Sequence, residues 1–285
     1  MPGPFFHLKL AEMVYPRFLK AACLENCGER FWPYFCAGTI APDIGFYPGG
    51  PNSFSKSVHN NGRTGTFLRI LKQEVESLEE DIFVAGWGLH ALADWQVHPM
   101  VDKAAEDFCS NQDRAEKILW HMKLEWGTDC ALLESLDGAS LWRPSIQFPV
   151  RKNGTNILAC VAGKVYSEAV FSAEIHRGYK AISRWLKVLP HVFLWSGQVS
   201  FLKSGSECWL NHTDMALRRM TTSLGWLTKF FGYHTVAGIL SPVRNNGLLL
   251  DTIQSALKIQ PSFVEAYRQN FSFMGEKPFG SVYAR

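Results

Sequence analysis

Apolar positions along this chain recur with the 3.6-residue period of helices, and no stretch shows the strict alternation of a half-buried strand. The first helical pattern runs from His7 to Leu24 and leads into an aromatic stretch, Phe31 to Phe35. A segment rich in Pro and Gly, Ala41 to Pro51, continues as polar sequence to Gly65 and reads as a loop. Leu68, Leu71, Val75 and Leu78 share one face of a predicted helix over Phe67–Leu78. Asp81 to Trp95 is apolar almost all round, which predicts a buried central helix. His98-Pro99 predicts a bend or a fresh helix start, because the residue before proline avoids the α region. A long helix follows over Asp113–Leu136, and residues 138–156 read as a loop. Further helical patterns cover Ile157–Leu189, Glu207–Phe231, Leu248–Ile259 and Ser262–Asn270. The expected fold class is all-α, as a single domain over residues 1–285, with residues 1–136 carrying the chemistry and the rest completing the wall.

Composition changes this picture little. Aromatics are plentiful, with 20 Phe and 10 Trp, so a large core can form. The 29 basic and 26 acidic residues nearly cancel, which argues against nucleic acid as a partner drawn by bulk charge. No apolar run reaches the roughly 18 residues of a spanning helix. The N-terminal stretch lacks a basic start, an apolar run and a small-residue cleavage site, so the expected location is cytoplasmic. Seven cysteines without a CxxC pair read as reduced thiols.

The polar residues inside the apolar segments change the picture most. GWGLHALADWQVHP sets His90, Asp94 and His98 at i, i+4 and i+8, one stripe on one helix, and HMKLE sets His121 and Glu125 at i, i+4 on a second. A lone His-carboxylate pair on a helix is ordinarily a solvated pair. Three ionisable groups in a row within a buried helix are different, because each uncompensated one costs several kcal/mol. With His7, Asp43 and His59, the chain offers eight nitrogen and oxygen ligands, too many for one tetrahedral zinc and suited to two or three. Asp94, in the middle of the stripe, is placed to bridge a pair of ions. A single structural zinc leaves most of these ligands unused, and a di-iron bundle needs E-x-x-H pairs that are missing here.

Taken in order, these residues resemble the zinc-dependent phospholipase C family, related to the fungal single-strand nucleases and to the catalytic domain of glycosylphosphatidylinositol-specific phospholipase D. The resemblance covers roughly residues 5–136 and rests on His7, the A-P-D loop at Asp43, His59, G-W-x-x-H-x-x-x-D-x-x-x-H-P and H-x-x-x-E. It implies a multi-helix fold with a zinc cluster at the floor of a cleft. By carry-over, Asp43, His59, His90 and Asp94 would hold one ion, His98, His121 and Glu125 a second, and His7 with Asp94 a third. The spacing from Asp94 to His98 is shorter than in the secreted bacterial enzymes and nearer that of the phospholipase D relative.

The expected chemistry is hydrolysis of a phosphate ester by a zinc-activated water, with Asp43 as candidate general base. The expected substrate is a small or lipid-like phosphorylated molecule. Phe46 and Tyr47 are candidates for an apolar wall beside the ligands, as are Trp87 and Trp95, against the plainer reading of core aromatics. Arg63 is a candidate bidentate donor to a substrate phosphate, against the plainer reading of a solvated loop residue. A zinc lyase or cyclase of a biosynthetic pathway on the same scaffold is the alternative.

Overall fold

The computed structural model describes residues 3–109, 114–135, 145–167, 169–201, 243, 246–272 and 274–276. Among them the regular structure is helical: α1 (Pro4–Ala21), α2 (Gly28–Ile40), α3 (Asn52–Asn60), α4 (Thr64–Gln73), α5 (Leu78–Phe108), α6 (Arg114–Ser135), α7 (Ile157–Tyr166), α8 (Ser172–Phe201) and α9 (Asn246–Arg268). Short 3-10 turns cover Glu25–Cys27 and Ala41–Phe46. The predicted helix over Glu207–Phe231 lies outside the described residues.

Helix α5 is the axis of the fold. Ser77 caps it by accepting from the Glu80 amide at 3.2 Å, and Glu79, Glu80 and Asp81 set negative charge against the positive end of its dipole. It packs against α2, α6 and α9, so most of its surface faces protein. At the crossing with α2, Gly38 and Gly86 let the two backbones meet. A Cβ on Gly38 would lie 2.0 Å from the Phe83 carbonyl oxygen, and one on Gly86 would lie 2.2 Å from that of Phe35. The buried apolar side chains from Phe5 to Met274 form one cluster around this axis. No helix among the described residues is long and apolar enough to cross a membrane.

The observed elements correct four expectations. Helix α5 continues through Pro99 rather than restarting there. A proline inside a helix costs about 3 kcal/mol. Burial of Val97 and Val101, worth about 1.5–3 kcal/mol each, offsets it. The same holds for α9, where Pro261 sits inside one helix and not between two. The predicted loop from Ala41 to Gly65 contains the 3-10 turn and α3, because Phe54 and Val58 seat that short helix on the core. The continuous pattern over Ile157–Leu189 is instead two helices, broken where Ser167 takes a left-handed φ of 57°.

Helix α1 begins under the control of α6. The Asp129 carboxylate accepts from the Phe5 amide at 3.1 Å and the Phe6 amide at 2.8 Å, satisfying two donors that a helix start leaves open. That contact fixes where the next residue, His7, points.

Candidate metal centre

Helices α1, α3, α5 and α6 and the Ala41–Phe46 turn each deliver at least one polar side chain to a common interior point. The turn is clamped to α3: Ser55 Oγ accepts from the Gly45 amide at 2.8 Å, and Asn52 Nδ2 donates to the Gly45 carbonyl at 3.1 Å. The clamp brings Asp43 to His59, with Oδ1 3.2 Å from Nε2. On α5, the four-residue spacing stacks His90, Asp94 and His98, while α6 contributes His121 and Glu125. All eight side chains are buried, none more than 5% exposed.

Asp94 is the hub. Its Oδ1 lies 3.1 Å from His7 Nε2, and its Oδ2 lies 3.3 Å from His90 Nε2, 3.7 Å from His59 Nε2 and 3.9 Å from His98 Nδ1. A second group forms beside it, with Glu125 Oε1 at 2.7 Å from His121 Nε2 and 3.4 Å from His98 Nε2. The His7 and His90 rings stack at 4.0 Å between centroids.

The outer nitrogens show how the rings are set. His90 Nδ1 donates to the Thr39 carbonyl at 2.8 Å, and His59 Nδ1 donates to the Ser55 carbonyl at 2.6 Å. His121 Nδ1 faces Asp102 Oδ1 at 2.7 Å. Carbonyl and carboxylate oxygens only accept, so each of these rings carries its proton on Nδ1. The Nε2 lone pair is left to face the cluster, as in metal-ligating histidines.

This donor set fits zinc. A tetrahedron with bonds of about 2.1 Å has edges of about 3.4 Å, close to the separations just given. Three triplets, His7–Asp43–His90, His59–His90–Asp94 and His98–His121–Glu125, have donor atoms all within 4.8 Å of one another. Moreover, both oxygens of Asp94, Oδ1 of Asp43 and both ring nitrogens of His7 are buried without hydrogen-bond geometry to any group among the described residues. Buried polar atoms left that way are expensive, and a divalent cation compensates them.

The local electrostatics agree. Burial, reinforced by the neighbouring His90, lowers His7, and burial lowers His121 to about 4, so both rings are neutral near pH 7. Burial also lowers His90, but the Asp94 and Asp43 carboxylates outweigh it and raise the ring overall. Asp94 goes the other way: burial raises it, yet His90 and His98 hold it well below the usual carboxylate range. A proton shared at that point competes with a metal ion for the same electrons.

The sequence pattern of the family described as zinc dependent phospholipase C matches residues 4–187. The chain belongs to the zinc-dependent phospholipase C family. The match runs past the ligands through α7 and into α8, so the family's pattern extends beyond residue 136, where the motif resemblance ended. At family level this makes the chain a zinc-dependent phosphoester hydrolase. Comparison with curated proteins and with solved structures gave no match.

The structure gathers all eight candidate ligands; His7 lies in a donor triplet with Asp43 and His90 and also faces Asp94. Phe46 lies against the His59 ring at 5.4 Å and Tyr47 follows it, both half-buried. Trp87 is fully buried and packs on Phe67, a core position, whereas Trp95 is half-buried. Arg63 is set against α7, where Nη1 donates to the Val165 carbonyl at 2.6 Å, an open acceptor of that helix's last turn. Asp102 was missed by sequence reasoning. Its signal was present: it extends the α5 stripe by one more step of four, after His90, Asp94 and His98.

Proposed function

We propose that this chain hydrolyses a phosphate ester of a small or lipid-like molecule at a centre of two or three zinc ions. His7, Asp43, His59, His90, Asp94, His98, His121 and Glu125 hold the metal. The observation that carries the reading is Asp94, whose two oxygens face different imidazoles from α1, α3 and α5 in a fully buried position. A carboxylate so placed would serve two cations at once.

Zinc held by these residues would supply Lewis-acid polarisation of phosphoryl oxygens and a water with a pKa of about 7. The remaining work belongs to the protein. Asp43 retains 5% exposure where Asp94 has none, so Asp43 is the carboxylate that an incoming water reaches. It accepts that water's proton as general base. Phe46 and Tyr47, half-buried on the residues just after Asp43, present an apolar edge to the organic part of the substrate.

The test combines metal analysis with product analysis. Purified protein is expected to carry at least two zinc ions per chain and to release a phosphorylated headgroup from phosphatidylcholine vesicles, or phosphate from a small aryl ester. One solvent oxygen should enter the phosphate product, which a lyase or cyclase does not do. Less than one zinc per chain, or full activity in Asp94→Ala, refutes the reading.

A further inference from the structure

Three imidazoles of the centre are braced from behind, and the braces differ in charge. His90 and His59 lean on backbone carbonyls of Thr39 and Ser55, which are neutral. His121 leans on the side chain of Asp102, which is buried at 7% exposure and lies 2.7 Å from Nδ1. The two halves of the centre also differ in their own charge. The half around Asp94 contains two carboxylates, Asp43 and Asp94, whereas His98, His121 and Glu125 contain one. A divalent cation held by one carboxylate and two neutral imidazoles carries one positive charge more than those three ligands balance, in a buried place. Burying such a charge is costly unless a counter-charge lies nearby.

We propose that Asp102 is the positioning residue of the His98–His121–Glu125 site, and that its negative charge sets how tightly that site holds its zinc. The inference rests on the zinc reading above. Two effects act together. The hydrogen bond fixes the His121 tautomer and ring plane, so Nε2 already points at the site before metal arrives. The carboxylate also makes the imidazole a stronger electron donor and adds the negative charge that the three ligands lack against a divalent ion. Asp102 and His98 occupy successive turns of α5, so the same rigid helix carries a ligand and the brace of a ligand from α6. The two sites are thereby tuned separately, one by ligand carboxylates and the other by a carboxylate one layer out.

The test uses the full chain and reads zinc directly. Zinc content and chelator-competition affinity are measured for wild type, Asp102→Asn and Asp102→Glu, with circular dichroism and melting curves beside them. Asp102→Asn keeps the shape and a hydrogen-bond acceptor but removes the charge. It is expected to weaken one ion by about 10–100-fold and leave the other zinc affinity unchanged. Asp102→Glu is expected to recover part of the loss. Nitrogen-15 spectra of the histidines should show a mixed tautomer for one ring in Asp102→Ala and a single one in wild type. Wild-type affinity for every ion in Asp102→Asn overturns the proposal. So does an equal loss of all ions together with a lowered melting point, which marks a merely structural role. A wild-type protein that binds no zinc removes instead the reading on which the proposal rests.

Discussion

Replacing Gly38 by alanine tests the link between helix packing and the metal centre, because the substitution touches no ligand. The added methyl carbon would sit 2.0 Å from the Phe83 carbonyl oxygen and 3.1 Å from the Gly86 Cα. Both neighbours are backbone, so neither can swing aside, and α2 and α5 must separate by about 1 Å to restore a normal contact. Overpacking of this kind costs about 1–3 kcal/mol. Alanine returns about 1 kcal/mol through better helix propensity. A collision with backbone on both sides belongs at the top of the first range, leaving a net loss of about 2 kcal/mol. At about 2–4 °C per kcal/mol for a chain of this size, the melting point falls by about 4–8 °C. The second effect reaches the site. Thr39 follows Gly38 directly, and a shift of about 1 Å carries its carbonyl from 2.8 Å to beyond hydrogen-bond range of His90 Nδ1. Loss of such a brace weakens zinc by about 10–100-fold. Calorimetric melting of zinc-loaded protein and chelator competition measure the two effects. Gly275→Ala is the control, since a Cβ there meets no atom of the described residues within 4 Å. Unchanged melting and unchanged zinc affinity in Gly38→Ala would refute the reasoning.

Three other outcomes follow from the same geometry. Removing zinc with a chelator is expected to lower the melting point by several degrees, since free ligand at 100 times its dissociation constant stabilises by about 2.7 kcal/mol per site; a melting curve indifferent to chelator counts against the centre. Burial raises Asp129 to about 7 from the ordinary value of about 3.9. The folded chain therefore binds this proton more readily than the unfolded one between those values, and the contribution of Asp129 to stability is full below about pH 4 and fades as pH rises through about 7. Urea titrations of chelator-treated wild type and Asp129→Asn should show wild type losing ground over that interval; a constant difference contradicts it. Asn156 caps α7 by accepting from the Leu158 amide at 2.9 Å and also donates to the Pro149 carbonyl at 3.0 Å. Asn156→Ala should cost about 2 kcal/mol in denaturant unfolding, one part for the cap and one for the abandoned carbonyl.

The sequence spoke most clearly where one helix carried the whole pattern. His90, Asp94 and His98 announce themselves because their spacing matches the helix period and their surroundings are apolar. His7, Asp43 and His59 carry no such local sign; they were legible only through their order along the chain, since the contacts that gather them join elements far apart in sequence. Pro99 and Pro261 misled, because a local preference of about 3 kcal/mol yields to burial on a packed helix. Ser167 misled in the opposite sense: the break between α7 and α8 sits in a stretch with neither glycine nor proline to mark it. Asp102 was passed over because the stripe was followed only as far as the proline.

The grip of Asp129 on the first amides of α1 spans 124 residues of chain, and every proposed ligand falls inside that ring. Contacts between such distant positions close after local ones, because the chain must first lose the entropy of bringing its ends together. His7 is therefore expected to be the last ligand to arrive. Zinc uptake during refolding should run in two stages, a prompt one at donors carried by α5 and α6 and a delayed one that waits for the N-terminal helix to dock.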